Sequence, residues 1–199
     1  MADDKRGREE QARDEDRRQR EREVLAALER ADETEPPVDE RDLGEFESEL
    51  DTLAFPVTGA EVVDAVGDQT VESVEGTYTV SELVAETDQE TFDAPDTVRM
   101  RVQRPTIAAA MKRVVEAVET VPNTDLGKSQ REAYEKTLRE LKAIDADDDD
   151  EGVAAISDWI VERIHDEGKI PGSRAVRRQA AKFCRSNGYE VRNDEWLGV

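Results

Sequence analysis

The sequence contains very little cysteine and histidine, and each shortage excludes a class of site. A single cysteine, Cys184, excludes an internal disulfide. A single histidine, His165, argues against Cys–His zinc sites and histidine-based catalysis. No apolar run approaches the roughly 18 residues that a membrane span needs, and no signal peptide opens the chain. Leu, Ile, Val and Phe number 41 of 199 residues, just above the ~20% below which a highly charged chain is expected to be disordered. We therefore expect a small folded protein, and we expect no membrane partner.

Lysine is also scarce, while acidic residues are abundant. The chain has 50 Asp and Glu against 28 basic residues, of which 21 are Arg and 7 are Lys, and its net charge is −22. This balance is typical of proteins from a salt-saturated cytoplasm, where carboxylates hold water and salt screens their repulsion. We therefore interpret the total charge as a solvent adaptation and expect a halophilic, cytoplasmic protein. The distribution is more informative: −1 over 1–30, −25 over 31–168 and +4 over 169–199.

Composition and apolar spacing divide the chain into segments. Residues 1–30 are predicted to form a charged N-terminal helix or a disordered arm, and the proline-containing segment 31–42 a linker. We expect a central α+β domain over 43–121, a linker over 122–128 and a C-terminal helical domain over 129–199. The predicted fold class is mainly α (α+β).

The central segment has clear start and stop signals. Thr58 and Glu61 form a predicted capping box for a helix over 59–66. Segments 69–74 and 77–80, separated by Glu75-Gly76, predict a β-hairpin. Further helices are expected after Ser81, from Pro95 towards Val102, and over 106–121.

These turns and caps carry a resemblance to a known family. The quoted motifs are Phe55-Pro56 with the following Gly59–Val63, then Tyr78–Leu83, then Thr91–Val98. Over about residues 45–104 the chain resembles a small haloarchaeal domain family of unknown function. The resemblance implies a fold unit and a haloarchaeal source, and it supplies no catalytic residues.

The C-terminal segment predicts three helices, over 130–144, 153–166 and 174–186, with Ser129 and Ser173 as caps of the first and last. Residues 189–197 are expected to form a terminal strand or hairpin. The order of these elements matches a helix-turn-helix with a wing: a helix, a short turn with glycine, a basic helix and a terminal β segment. We therefore expect the C-terminal domain to be helix-turn-helix-like or winged-helix-like.

The last helix carries the strongest functional signal. Five cations recur along it at helical spacing, and no acidic residue interrupts 173–189. In the winged-helix interpretation the helix binds nucleic acid, and one cation of the wing adds a phosphate contact. The predicted binding residues are Ser173, Arg174, Arg177, Arg178, Lys182, Arg185 and Arg192.

A second interpretation of the same cations stays open. They could pair with acids elsewhere in this chain, or with an acidic protein surface. If the stripe is used structurally, the protein is a protein–protein adaptor of unknown function, and its N-terminal helix or central domain binds the partner. The interpretations differ in one respect that a structure can show: whether the cationic side chains are exposed or already paired.

The acidic stretch before the second of these helices resembles a calcium loop. Asp147, Asp149, Glu151 and Asp158 occupy positions 1, 3, 5 and 12 of the EF-hand pattern, with Gly152 at position 6. Position 12 lacks the usual bidentate Glu, so the match is partial. No motif assembles a nucleophile, a metal cage or a nucleotide loop. We therefore expect a non-enzymatic binding or regulatory protein that needs no cofactor and whose partner is DNA, RNA or an acidic protein surface.

Overall fold

The computed structural model describes residues 43–73, 75–122, 124–144 and 150–189, all of which lie in one compact unit, Val38–Val199. The predicted arm over 1–30 and the linker over 31–42 lie outside the described residues. The helices are α1 (Gly44–Leu50), α2 (Gly59–Val66), α3 (Val80–Leu83), α4 (Pro95–Val102), α5 (Pro105–Glu119), α6 (Lys128–Ile144), α7 (Glu151–Glu167) and α8 (Ser173–Asn187). The strands are β1 (Val57–Thr58), β2 (Thr70–Ser73), β3 (Gly76–Thr79) and β4 (Thr91–Phe92). The predicted mainly α (α+β) class is confirmed.

The strands form two antiparallel pairs. β2 and β3 make the predicted hairpin, with Thr70 opposite Thr79 and Ser73 opposite Gly76. β1 and β4 form a second pair, with Val57 opposite Phe92. The sequence did not predict this pair, because two-residue strands are too short to show alternation.

Local hydrogen bonds set the helix starts. At α2 the predicted capping box is confirmed: the Glu61 N–H donates to Thr58 Oγ1 at 3.2 Å, and the Thr58 N–H donates to the Glu61 carboxylate at 2.7 Å. The helix predicted after Ser81 begins at Val80 instead, because the Thr79 N–H donates to the Glu82 carboxylate at 2.7 Å and makes Thr79 the cap.

Two groups of buried apolar side chains form the core. The central cluster gathers side chains of α1 to α4 and their strands, including Phe46, Leu50 and Leu83. The C-terminal cluster gathers side chains of α5 to α8, including Met111 and Leu138. The apolar side chains that recur at helical spacing on α5 and α7 are buried: Ile107, Met111, Val114, Val115, Val118, Val153, Ile156, Ile160 and Ile164.

Helix α5 belongs to both clusters. Its Ala108 is buried among the residues of α1 to α4, whereas Met111, Val114 and Val118 are buried against α6 to α8. The predicted division, with a central domain over 43–121 and a C-terminal domain over 129–199, stays a prediction.

A polar network joins four elements at one end of these helices. Lys142 of α6 lies 2.6 Å from the Glu75 carboxylate in the hairpin turn and 3.0 Å from Asp150, which precedes α7. Thr106, at the start of α5, donates through Oγ1 to Glu75 at 2.7 Å. Asp150 has a left-handed backbone, with φ of 56°. The network therefore holds an unusual backbone conformation at the start of α7.

The same network sets a pH dependence. Burial alone would raise the pKa of Glu75, but hydrogen bonds from Lys142 and Thr106 outweigh it and hold the pKa below its ordinary value. Burial would lower the pKa of Lys142, and its bonds to Glu75 and Asp150 reverse this and raise it. A lowered carboxyl pKa contributes stability above the ordinary pKa, and that contribution is lost as the pH falls through the folded-state value.

Replacing Lys142 with Gln is therefore expected to weaken the fold by about 0.5–1 kcal/mol at neutral pH. It should also flatten the loss of stability on acidification, because the pKa of Glu75 returns towards its ordinary value. Urea unfolding at several pH values between neutral and acidic measures both effects. The control is Lys136→Gln, which changes an exposed residue of the same helix. Equal pH dependence in the two variants would contradict the assignment.

Candidate functional site

Helix α8 is held to the core by one apolar side. Val176, Ala180 and Cys184 follow one another at four-residue spacing and are completely buried in the C-terminal cluster. The helix ends at Gly188, whose positive φ of 75° is the left-handed conformation that glycine adopts most readily. Because one side is fixed in this way, the opposite side of α8 faces solvent.

That opposite side carries four of the five predicted cations. Arg174, Arg178, Lys182 and Arg185, here called the basic face, are all exposed. At 100° per residue they fall within an arc of about 80°, and they extend over about 16 Å of helix. None of the four makes an ion pair with another residue that the structure describes.

Arg177 is placed differently from the basic face. It is half-buried, its Nε is shielded from solvent, and it has an interaction of its own within the chain. Sequence spacing put Arg177 in one stripe with the other four, but its position lies towards Val176 and Cys184. The five-cation stripe thus divides into four exposed residues and one structural residue.

The turn before α8 is fixed from α6. Gln130 Nε2 donates to the Pro171 carbonyl at 2.8 Å, and the hydroxyl of the completely buried Tyr134 donates to the same oxygen. Burial raises the pKa of Tyr134 to about 12, against an opposing hydrogen bond from Gln130. The hydroxyl therefore keeps its proton over the whole physiological range.

Two predicted caps are wrong in detail. Ser173 is the first residue of α8, Gly172 occupies the cap position, and no side chain caps the helix. Helix α6 likewise begins at Lys128 and not after Ser129. Ser173 nevertheless lies in the first turn of α8, in which there is no acidic residue.

Parts of the other predicted sites lie outside the described residues. These parts are Arg192 and the wing after Tyr189, and Asp147 and Asp149 of the calcium pattern. Glu151 begins α7, and Asp158 accepts a hydrogen bond from Arg113 at 2.5 Å. Among the residues that the structure describes, no three His, Cys, Asp or Glu side chains are grouped so that they could hold a metal ion. The calcium site stays a prediction.

A charged cleft, which the sequence did not predict, lies where α4 and β4 meet α6. Its volume is about 250 Å³. Its wall contains Phe92 and Met100, but charged side chains dominate it. The charged residues are Glu90, Asp93, Arg101, Arg104, Lys128, Arg131, Glu132, Glu135 and Arg139.

The base of the charged cleft is an ion-pair network removed from water. Glu90 is completely buried, and Arg101 is 5% exposed. Arg101 Nη2 donates to Glu90 Oε1 at 2.7 Å, and Arg131 Nε lies 3.7 Å from the same oxygen. The guanidinium of Arg101 also lies over the Phe92 ring, 5.7 Å from its centroid. Glu90 is therefore the shared counter-ion of two buried arginines.

Close backbone packing positions Glu90. The Gly59 N–H donates to the Glu90 carbonyl at 2.7 Å, which ties the loop before β4 to the start of α2. A Cβ at Gly59 would lie 2.3 Å from the Ala85 carbonyl oxygen, so this approach requires glycine.

The sequence contained a partial signal for this cleft. Arg101 falls on the apolar stripe of α4, between Val98 and Val102, and Arg131 falls on the stripe of α6 that contains Tyr134 and Leu138. A cation at a core position needs a counter-ion. Glu90 lies in a loop without periodicity, so its role had no signal of its own.

Three further residues have clear positions. Cys184 is completely buried, and His165 is exposed. Lys128 begins α6 and pairs with Asp93 at the mouth of the charged cleft. Within the described ranges, each helix is too short or too polar to cross a membrane.

Comparisons with known proteins add one finding. No curated protein matches the chain. No solved structure matches it either. Residues 37–114, which contain α1 to α4, Glu90 and the first part of α5, match the model of a Family of unknown function (DUF5789), which confirms the predicted resemblance of the central segment to a small domain family without an assigned function.

Proposed function

We propose that this protein is a non-enzymatic binding or regulatory protein that uses the basic face of α8 to bind nucleic acid. The observation that carries the proposal is the exposure of Arg174, Arg178, Lys182 and Arg185 without an ion pair among the described residues. In a chain of net charge −22, carboxylates are abundant enough to neutralise an idle cationic surface. The basic face is instead left available for an anionic partner.

The arrangement suits contacts with the phosphate backbone. Four cations on one side of a rigid helix can each meet a phosphate, and guanidinium groups form bidentate hydrogen bonds with phosphate oxygens. The first turn of α8, with Ser173 and Arg174, adds the positive end of a helix dipole. We place the protein in a salt-rich cytoplasm, where such bidentate bonds matter more because counterion release weakens at high salt.

A protein–protein adaptor is the alternative function. The basic face could bind an acidic protein surface with the same cations, and this partner is an outcome of the test below. In that alternative some of the cations are used inside the chain. Arg177 supports this, because it has its own interaction within the chain.

The salt dependence of binding tests the proposal. We expect the full chain to bind a labelled 20-base-pair duplex, with log K falling against log[KCl] at a slope of about −3.6 for four phosphate contacts. In the double variant R178Q/K182Q the slope should fall in size by about 2, and affinity should drop equally for unrelated duplex sequences. Fluorescence anisotropy over a KCl series measures both quantities.

The matched control is R113Q/K136Q, which removes the same charge from exposed positions of α5 and α6. It should keep the slope of the parent protein. A parent slope near zero, or an equal loss in the control, would reject the basic face as a nucleic-acid interface. Binding to polyglutamate without binding to the duplex would favour the adaptor.

A further inference from the structure

The exposed side of α8 has an aromatic edge as well as the basic face. Phe183 follows Arg174 by nine residues, which at 100° per residue places it about half a turn around the helix from Arg174, next to the buried side. Three uncharged residues lie between Phe183 and the basic face: Ala175, Gln179 and Ser186. No acidic residue occurs over 173–189. The surface of α8 therefore changes from cationic, through uncharged, to aromatic.

Two stacked rings, of Phe183 and Tyr189, form this aromatic edge. Their centroids are 6.1 Å apart and their planes differ by 21°. The Tyr189 N–H donates to the Cys184 carbonyl at 3.0 Å, which holds Tyr189 against the end of α8. Both rings pack on the C-terminal cluster, yet both are only half-buried. The pair therefore keeps part of its apolar surface in contact with solvent at a fixed place beside the basic face.

A row of cations beside exposed aromatic rings has the two features that hold single-stranded nucleic acid. The cations bind phosphates, and unpaired bases stack on the rings. On a helix about 10–12 Å across, the step from Lys182 to Phe183 covers roughly 10 Å of surface. A nucleotide whose phosphate lies on the basic face can place its base at that distance, with its sugar over the uncharged residues. A duplex cannot use the aromatic edge, because its bases are already stacked on one another.

We propose that the basic face and the aromatic edge together bind a single strand of nucleic acid. Its phosphates lie on Arg178, Lys182 and Arg185, and one base stacks on Phe183 and Tyr189. This inference rests on the proposed function of the basic face and names the form of nucleic acid that the face prefers. Stacking involves the face of a base and not its edge, so we expect little dependence on base sequence.

Competition between single strands and a duplex tests the proposal on the full chain. The probes are oligo-dT and oligo-U strands of about 20 nucleotides and a 20-base-pair duplex, followed by fluorescence anisotropy over a KCl series. The slope of log K against log[KCl] should be about −2.8 for four phosphate contacts of a single strand, against about −3.6 for the duplex. The preference for the single strand should therefore grow with salt. It should reach at least about fivefold near 1 M KCl, where stacking contributes most.

Tighter binding of either strand than of the duplex in molar KCl supports the proposal, and the stronger of the two strands shows whether DNA or RNA is preferred. A preference for the duplex there would overturn it. Absence of binding to every probe would instead reject the proposed function of the basic face.

A strand of the same length in which every nucleotide is abasic separates stacking from charge. It keeps the phosphates and has nothing to stack, so its affinity should be at least about fivefold below that of oligo-dT. This measurement uses the parent protein and does not depend on the folding of a variant. Equal affinities for the abasic strand and oligo-dT would overturn the single-strand proposal and leave the basic face as a nucleic-acid interface.

Phe183→Leu removes the stacking ring and keeps an apolar side chain. It should weaken the binding of oligo-dT at least about fivefold and leave the binding of the duplex unchanged. Phe183→Tyr keeps a ring and should bind as the parent does. The matched control is Tyr78→Leu, which changes a half-buried aromatic residue of the central cluster and should alter neither affinity. An equal loss for oligo-dT and the duplex in Phe183→Leu would show that Phe183 only holds α8 in place, and would overturn the proposal.

Discussion

Replacing Glu90 with Gln should lower the free energy of unfolding by about 3–5 kcal/mol, the cost of leaving a buried charge without its partner. Glu90 is completely buried, and Gln preserves its shape, so the loss is electrostatic rather than steric. Arg101, at 5% exposure, would lose its 2.7 Å bond to a charged acceptor. Urea unfolding followed by circular dichroism measures the change.

The control for this substitution is Glu116→Gln. Glu116 is exposed and pairs with Lys112 one helical turn away, so its loss should cost less than about 0.5 kcal/mol. The variant E90Q/R101M removes both partners, and it should be more stable than the sum of the two single changes predicts. A small effect of Glu90→Gln would mean that water, and not Glu90, balances these arginines.

Replacing Tyr134 with Ala should cost about 3–5 kcal/mol, the usual range for removing a buried aromatic side chain. Tyr134 is among the largest completely buried side chains of the described residues, and it lies in the C-terminal cluster. The substitution removes the ring and also the hydroxyl that donates to the Pro171 carbonyl before α8. Both losses act on the helix that carries the basic face.

Tyr134→Phe separates the two losses. It keeps the ring and removes the hydroxyl, and Gln130 still donates to the Pro171 carbonyl, so we expect a cost of about 1 kcal/mol. In the parent, the absorbance of phenolate from Tyr134 should appear only near pH 12, because its pKa is raised. A raised pKa means that this stability is lost as the pH rises through that value. Equal costs for Ala and Phe would show that packing of the ring contributes little.

Local signals predicted most of the helices and one of the two strand pairs. The sequence predicted helices close to α5 and α7, and Thr58 with Glu61 marked the start of α2. The pairing of β1 with β4 had no such signal, because it joins two-residue strands more than thirty residues apart and depends on tertiary contacts.

The two candidate sites also differ in whether a single segment of the sequence contains their pattern. The basic face lies on one helix, so its spacing was visible in the sequence. The charged cleft joins a loop residue, Glu90, to arginines of α4 and α6, and no single segment contains that pattern. Even Arg101 on an apolar stripe was ambiguous, because long cationic side chains often cover apolar surface and reach solvent.

The position of α5 bears on which segments of the chain build the charged cleft. The family match stops at residue 114, inside α5, which ends at Glu119. The limit of sequence similarity is thus not a limit of packing. The matched segment supplies Glu90, Arg101 and Arg104, whereas α6 supplies Arg131, Glu135 and Arg139. A protein that shared the matched segment but continued with a different helix would keep the buried half of the cleft and build the other half from its own sequence.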